Sequence, residues 1–217
     1  MKADLHFHTT VSDGIASPEV MIKMVKKRGL TGFSVTDHDK TGNIHEYTRL
    51  ARKYDLLYVS GMEITSERGH LLAYCLPEEA EVLQKFRPFQ PIEYYVEKAE
   101  ECNVVLSPAH PFDYFRHGMG TNIFYHRWSA LETFNGSTVF PFSNRRAQKA
   151  ARTLNLPEIA GSDAHTHYYV GLTYTEVEAS CAEELLTKIK KGETSVGGKH
   201  LNVFQFSRRM FKSKILK

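Results

Sequence analysis

The sequence predicts an α/β fold, on three observations. Short apolar runs alternate with segments of helical spacing, the pattern of a parallel sheet covered by helices. Histidines and acids fall repeatedly just after the apolar runs, where the strand ends of such a fold converge on one crevice. No low-complexity linker interrupts the 217 residues, so we assign a single domain over 1–217.

The elements follow in order. An extended opening segment carries His6 and His8. Ser17-Pro18-Glu19 reads as an N-cap, a proline at the first helical position and an acid in the first turn. Val20, Met21, Met24 and Val25 continue at helical spacing, and Gly29 is the stop. Residues 32–36 read as a strand, polar 43–54 as a helix and 56–59 as a strand, which leads to Glu63; 71–76 is a further strand. The second half repeats the alternation: helix 92–102, strand 104–106, strand 130–134, helix 143–154, short strand 159–160, helix 182–191. Residues 112–128 fit no regular element and are rich in aromatic residues, His, Arg and Gly, as a binding loop would be.

Composition narrows the function classes. Hydrophobic residues make up 41% and charged residues 24%, ordinary for a globular protein. A net charge of +3 is too small to argue for nucleic-acid binding by itself. No apolar run is long enough for a transmembrane segment, and the N-terminus lacks a signal-peptide core. Cys75, Cys102 and Cys181 form neither a disulfide framework nor a zinc-binding pair, so a cytoplasmic location is expected.

The chemistry lies in the histidines and acids. His6 and His8 are two apart on an extended segment, so both rings face one side. Asp163 and His165 repeat that spacing. Asp13, Asp37, His38, Asp39, Glu63, His70 and His110 complete the set. Imidazole and carboxylate suit Zn²⁺, Mn²⁺ or Fe²⁺. Such groups are too many for one ion, which points to two or three divalent ions sharing a bridging carboxylate. Glu63, placed at its strand end, is the bridging candidate. Taken singly, each residue has a blander reading: Asp13-Gly14 as a turn, Asp37 as a cap, His45, His117, His126, His167 and His200 as solvated side chains.

With those residues in place, the sequence resembles the PHP (polymerase and histidinol phosphatase) family of metal-dependent phosphoesterases. The resemblance rests on Asp4-Leu5-His6-Phe7-His8-Thr9 with Ser12-Asp13-Gly14, Thr36-Asp37-His38-Asp39, Ala109-His110-Pro111 and Gly161-Ser162-Asp163-Ala164-His165. Gly61-Met62-Glu63-Ile64 and Gly69-His70-Leu71-Leu72 also fit. It implies a distorted (β/α)7 barrel. It implies one ion on His6, His8, Glu63 and Asp163, a second on Asp13, His38 and His165, and a third on Glu63, His70 and His110. The large insertion that longer small-nucleotide phosphatases of the family carry between the second and third motifs is missing, so their substrate preferences do not carry over.

The expected reaction is hydrolysis of a phosphate ester by a metal-activated hydroxide. Asp39 and His167 are candidates for protonating the leaving group. Arg116, Arg127, Asn135 and Arg145 are candidates for gripping the phosphate, arginine by its bidentate fork; each is equally readable as a solvated or turn residue. Tyr114, Phe115, Tyr125 and Trp128 read either as a stacking surface for a base or sugar or as a small core of the loop. The expected partner is a phosphorylated small molecule or nucleotide. An exonuclease acting on oligonucleotide ends uses the same chemistry, and a non-catalytic metal-binding regulatory module is the third alternative. Residues 201–217 form a basic amphipathic tail, read as a docked or frayed terminus rather than a membrane- or nucleic-acid-binding one.

Overall fold

The apolar runs become strands, but shorter ones than their sequence suggests. In the computed structural model, which describes residues 1–138 and 140–200, β1 (Lys2–Asp4), β2 (Gly32–Phe33) and β3 (Leu57–Tyr58) pair in parallel, with Ala3 opposite Gly32 and Gly32 opposite Leu57. The crossovers are α1 (Pro18–Lys27) and α2 (Ile44–Tyr54). Pro18 opens α1, where its missing N–H costs no hydrogen bond. Gly29, at φ +76°, takes the chain out in the left-handed conformation that other residues resist. Asn43 caps α2 by accepting from the Glu46 amide at 3.1 Å.

The parallel sheet expected from the alternation is joined by antiparallel pairs. β4 (Ser60–Ser66) and β5 (Gly69–Cys75) are joined by two residues, and a connection that short can only return antiparallel. After a 3₁₀ segment (Pro77–Lys85) and α3 (Ile92–Glu101), β6 (Val105–Pro108) adds antiparallel to β5. Glu63 is therefore midway along β4, opposite Leu72, and not at a strand end. β7 (Leu131–Asn135) and β8 (Glu158–Gly161) form a parallel pair across α4 (Pro141–Leu154). β9 (Thr173–Val177) and β10 (Thr194–Gly198) flank α5 (Ala182–Lys191) and extend the first sheet antiparallel, in the order β10-β9-β1-β2-β3.

The described strands thus form sheets of five, three and two strands, and a closed (β/α)7 barrel is not seen among them. Two isolated bridges, Phe7 with Ala164 and His38 with Glu63, join the strand extensions of different sheets at the site. Residues 112–128, expected to be irregular, contain 3₁₀ turns at Tyr114–Arg116 and Gly120–Tyr125. Trp128 is buried, its indole N–H donating to the Ile123 carbonyl at 2.8 Å, so it belongs to the core of that loop. The amphipathic tail at 201–217 lies outside the described residues. No described helix is long and apolar enough to cross a membrane.

Candidate metal centre

The site begins with the alternation of one extended segment. Phe7 points into the core, fully buried against Phe33 at 6.2 Å, which turns His6 and His8 together to the other side. Their Nε2 atoms lie 3.3 Å apart. The chain is held there by the segment that follows β8: the His8 amide donates to the Ala164 carbonyl and the Asp163 amide to the His6 carbonyl.

Glu63 is the hub. Its Oε1 lies 3.1 Å from His70 Nδ1 and 3.0 Å from His110 Nε2. Its Oε2 lies 3.2 Å from His6 Nε2, 3.1 Å from His8 Nε2 and 3.4 Å from His38 Nδ1. Asp163 Oδ1 faces the same two Nε2 atoms, at 3.7 Å and 3.3 Å. Asp13 closes the outer side, with Oδ2 3.1 Å from His165 Nε2 and Oδ1 3.7 Å from His8 Nδ1. His110 (φ +31°) and Asp163 (φ +52°) are ligand candidates in positive-φ backbone, a strain that recurs at functional sites.

The donor chemistry fits divalent cations. His6 Nδ1 donates to Glu132 Oε1 at 2.9 Å, because a carboxylate can only accept. In the neutral ring the lone pair is then on Nε2, which faces the carboxylates of Glu63 and Asp163 and another imidazole nitrogen. Acceptors facing acceptors are satisfied only by a proton or a cation between them. Four overlapping groups have ligand atoms within 4.8 Å of one another: His8, Asp13, His38 and His165; His6, His110 and Asp163; His6, His8 and Glu63; His38, Glu63 and His70. The nine residues that the resemblance assigns to ions all fall in these groups, whereas Asp37 and Asp39 fall in none.

Electrostatics agree with the geometry. Burial opposes charge on His6, yet Glu132, Asp163 and Glu63 together hold its pKa well above the usual imidazole range. His8, equally buried, is raised to about 9 by Asp163 and Glu63. Burial would raise the Glu63 carboxyl, but the surrounding histidines pull it well below its ordinary value. Asp163 is lowered likewise, by Arg116 and then His6, against its burial. Burial lowers His38, outweighing the pull of Glu63. Such mutual dependence of buried charges is the setting in which a cation replaces protons.

The remaining candidates divide. Arg116 reaches the site: its guanidinium forks onto Asp163, Nη2 lying 2.9 Å from Oδ1 and Nη1 contacting Oδ2. Asn135 is also there, but its polar atoms are engaged. Nδ2 donates to Asp163 Oδ2 at 3.0 Å and to Glu132 Oε2 at 3.1 Å, and Oδ1 accepts from the Ser137 amide. Asn135 thus links the carboxylates of Glu132 and Asp163. Arg127 lines a cleft with Asn103, Val104 and Lys190, at the start of β6 and so at the end of that strand opposite the site. Arg145 is exposed on α4, and of the four residues only Arg116 and Asn135 touch the ligands among the described residues. Asp39, expected as a proton donor, accepts instead from the Thr65 amide and hydroxyl, each at 2.8 Å, and pins its own loop to β4. His167 packs on Tyr168 at 4.0 Å and lies outside the four ligand groups.

Sequence reasoning missed the groups behind the ligands. Glu132 is buried in β7 and bonds to His6 and to the His110 amide. Its only signal was an acid inside an otherwise uncharged strand, Leu131-Glu132-Thr133-Phe134. Asp37, read from the sequence as one of the clustered acids or as a cap, accepts from the Thr9 amide, the Thr9 hydroxyl and the Ser12 hydroxyl, and so shapes the loop that carries Asp13. On the rim, Phe115 meets Phe140 at 5.8 Å and Phe140 stacks on Phe142 at 5.2 Å. These rings are 76%, 42% and 53% exposed, beside the Arg116 that reaches Asp163.

Residues 4–128 match the model of the PHP domain, and residues 141–194 that of the PHP-associated region. The chain is 27% identical over 146 residues to an uncharacterized protein of Methanocaldococcus jannaschii, covering 62% of this chain and 82% of that one. It is 33% identical over 66 residues to a 3',5'-nucleoside bisphosphate phosphatase of Chromobacterium violaceum, which is 30% of this chain and 23% of the relative. Among solved structures, a two-domain protein of Bacteroides vulgatus containing a predicted PHP-like metal-dependent phosphoesterase superposes with a TM-score of 0.74 at 19% identity, over 98% of this chain and 69% of that one.

Proposed function

Because the chain belongs to the PHP family, we propose that it hydrolyses a phosphate ester at a centre of two or three divalent ions (Zn, Mn or Fe). The observation that carries this reading is the five imidazoles converging on the two oxygens of Glu63. His6, His8, Glu63 and Asp163 would hold one ion, Asp13, His38 and His165 a second, and Glu63, His70 and His110 a third. Bound there, such ions supply an activated water and neutralise charge building on the phosphoryl oxygens.

The chain's own residues do the rest. Arg116, whose guanidinium forks onto Asp163 and contacts the Ser137 carbonyl, would set a fixed positive charge beside the ions where a phosphate oxygen would lie. Burial of Glu63, Asp163 and His110 keeps bulk water from the inner side, which strengthens each charge interaction there. The exposed rings of Phe115, Phe140 and Phe142 support a substrate with a flat organic group, because bases and aromatic faces stack. That favours a nucleotide over a sugar phosphate, and leaves an oligonucleotide end as the second reading. The free thiols of Cys75, Cys102 and Cys181 support a cytoplasmic location.

The test is a screen of mononucleotides, sugar phosphates and short oligonucleotides, with Mn²⁺ supplied. Turnover of a phosphomonoester that disappears in Asp163→Ala is expected. Preference for oligonucleotides would move the reading to exonuclease, and no turnover with a fully loaded centre would overturn it.

A further inference from the structure

We propose that Glu132 is a positioning residue that fixes the inner part of the metal centre and leaves the outer part to a separate support. The inference rests on the metal-binding reading above but not on the identity of the substrate. Glu132 is fully buried yet pairs with no arginine or lysine among the described residues. Its hydrogen bonds run instead to ligand candidates from three places in the chain. Oε1 accepts from His6 Nδ1 at 2.9 Å, after β1. Oε2 accepts from the His110 amide at 2.6 Å, after β6. Oε2 also accepts from Asn135 Nδ2 at 3.1 Å, and the same amide group donates to Asp163 Oδ2 at 3.0 Å, after β8.

These three residues, His6, His110 and Asp163, are themselves one of the ligand groups. One carboxylate therefore sets the tautomer of the first, the backbone of the second and, through Asn135, the carboxylate plane of the third. A proton held on His6 Nδ1 leaves Nε2 as the ligating atom, and groups behind a ligand typically govern metal affinity 10- to 100-fold. The outer candidates Asp13, His38 and His165 receive no hydrogen bond from Glu132 among the described residues. The loop that carries Asp13 is shaped by Asp37, which gathers the Thr9 amide, the Thr9 hydroxyl and the Ser12 hydroxyl at 2.7, 2.7 and 2.6 Å. Inner and outer ligands thus have different supports.

The experiment titrates chelator-stripped full-length protein with Mn²⁺ or Zn²⁺ against a chromophoric competitor, alongside long-range ¹H–¹⁵N spectra of the histidine rings. Glu132→Gln is expected to weaken one class of ion about 10- to 100-fold while the other keeps its affinity, and to shift the His6 Nδ1–H signal, because a neutral amide oxygen is a weaker acceptor than a carboxylate. Asp37→Asn should weaken the class that Glu132→Gln spares. Unchanged affinities in Glu132→Gln, equal weakening of both classes, or an unchanged His6 signal would overturn the proposal. Should Glu132→Gln not fold, Asn135→Ala keeps the carboxylate and removes its link to Asp163, along with the acceptor for the Ser137 amide. It should weaken the same class by a smaller factor, and no change would again overturn the idea. Wild-type protein that takes up no ion would instead refute the metal-binding reading itself.

Discussion

A methyl group added at Gly161 tests how closely the site depends on two backbones touching. Gly161 ends β8, where the chain crosses the His6 segment. A Cβ built on it would lie 2.2 Å from His6 Cβ, 2.5 Å from His6 N and 2.8 Å from His6 Cα. Comfortable separation between carbon atoms is about 3.5–4.0 Å, so His6 must retreat by roughly 1 Å or more. No rotamer change relieves the clash, because the atoms met are backbone and Cβ. Overpacking of this kind costs about 1–3 kcal/mol, which for a chain of this size lowers Tm by roughly 2–12 °C. A misplacement of about 1 Å at a reacting centre costs about 100-fold in rate, equivalent to about 2.7 kcal/mol of transition-state stabilisation. The assay is kcat/KM on a generic phosphate ester with saturating Mn²⁺, together with a melting curve and metal content. Gly192→Ala is the control: at φ +74° it carries backbone strain, but only Pro157 Cγ, at 3.8 Å, stands near its new Cβ. It should lose about 1–2 kcal/mol of stability and no activity. Wild-type kcat/KM in Gly161→Ala would show that the close approach of β8 to His6 does not position the centre.

Elemental analysis of protein purified without chelator should give at least two equivalents of transition metal, and near-zero metal would defeat the centre altogether. Asp163→Ala should reduce hydrolysis by more than about 1000-fold, in line with loss of a metal and its water, while circular dichroism stays native. Arg127→Ala should leave kcat/KM within about twofold, whereas Arg116→Ala should lower it about 10- to 100-fold, the range for a charge-assisted contact; equal effects would contradict the placement of the two arginines. Burial favours neutral His8, but Asp163 and Glu63 hold its proton up to about pH 9, so below that pH a cation must displace it. Apparent metal affinity should therefore fall as pH falls, about tenfold per unit for each proton released, and chelator competition that is flat between about pH 6 and about pH 8 would refute this.

The sequence was readable where physics is local. α1, α2 and α5 are marked by apolar spacing and by Pro18, Asn43 and Gly192 at their ends. The ligand candidates were readable because a histidine or acid following an apolar run has few structural uses. What escaped depends on partners distant in the chain. β9 and β10, Thr-Tyr-Thr-Glu-Val and Thr-Ser-Val-Gly-Gly, carry little apolar signal, and become strands only by pairing with each other and with β1. Arg116 and Arg127 look alike in one loop, yet the 3₁₀ turns send the first to Asp163 and leave the second at the far end of β6. Glu132 could not be separated from an ordinary strand acid without knowing that His6 and His110 close over it.

Placing Glu63 inside the β4–β5 hairpin has a kinetic consequence. Its neighbours Met62 and Ile64 are buried and laddered to β5, and five imidazoles surround its carboxylate, so little room is left for this side chain to turn away. Asp13, by contrast, is half exposed on a loop. An ion on the inner ligands should therefore exchange with solution slowly, and one on Asp13, His38 and His165 quickly. The outer position would sample whichever cation the surroundings offer, while the inner one keeps the identity it acquired first.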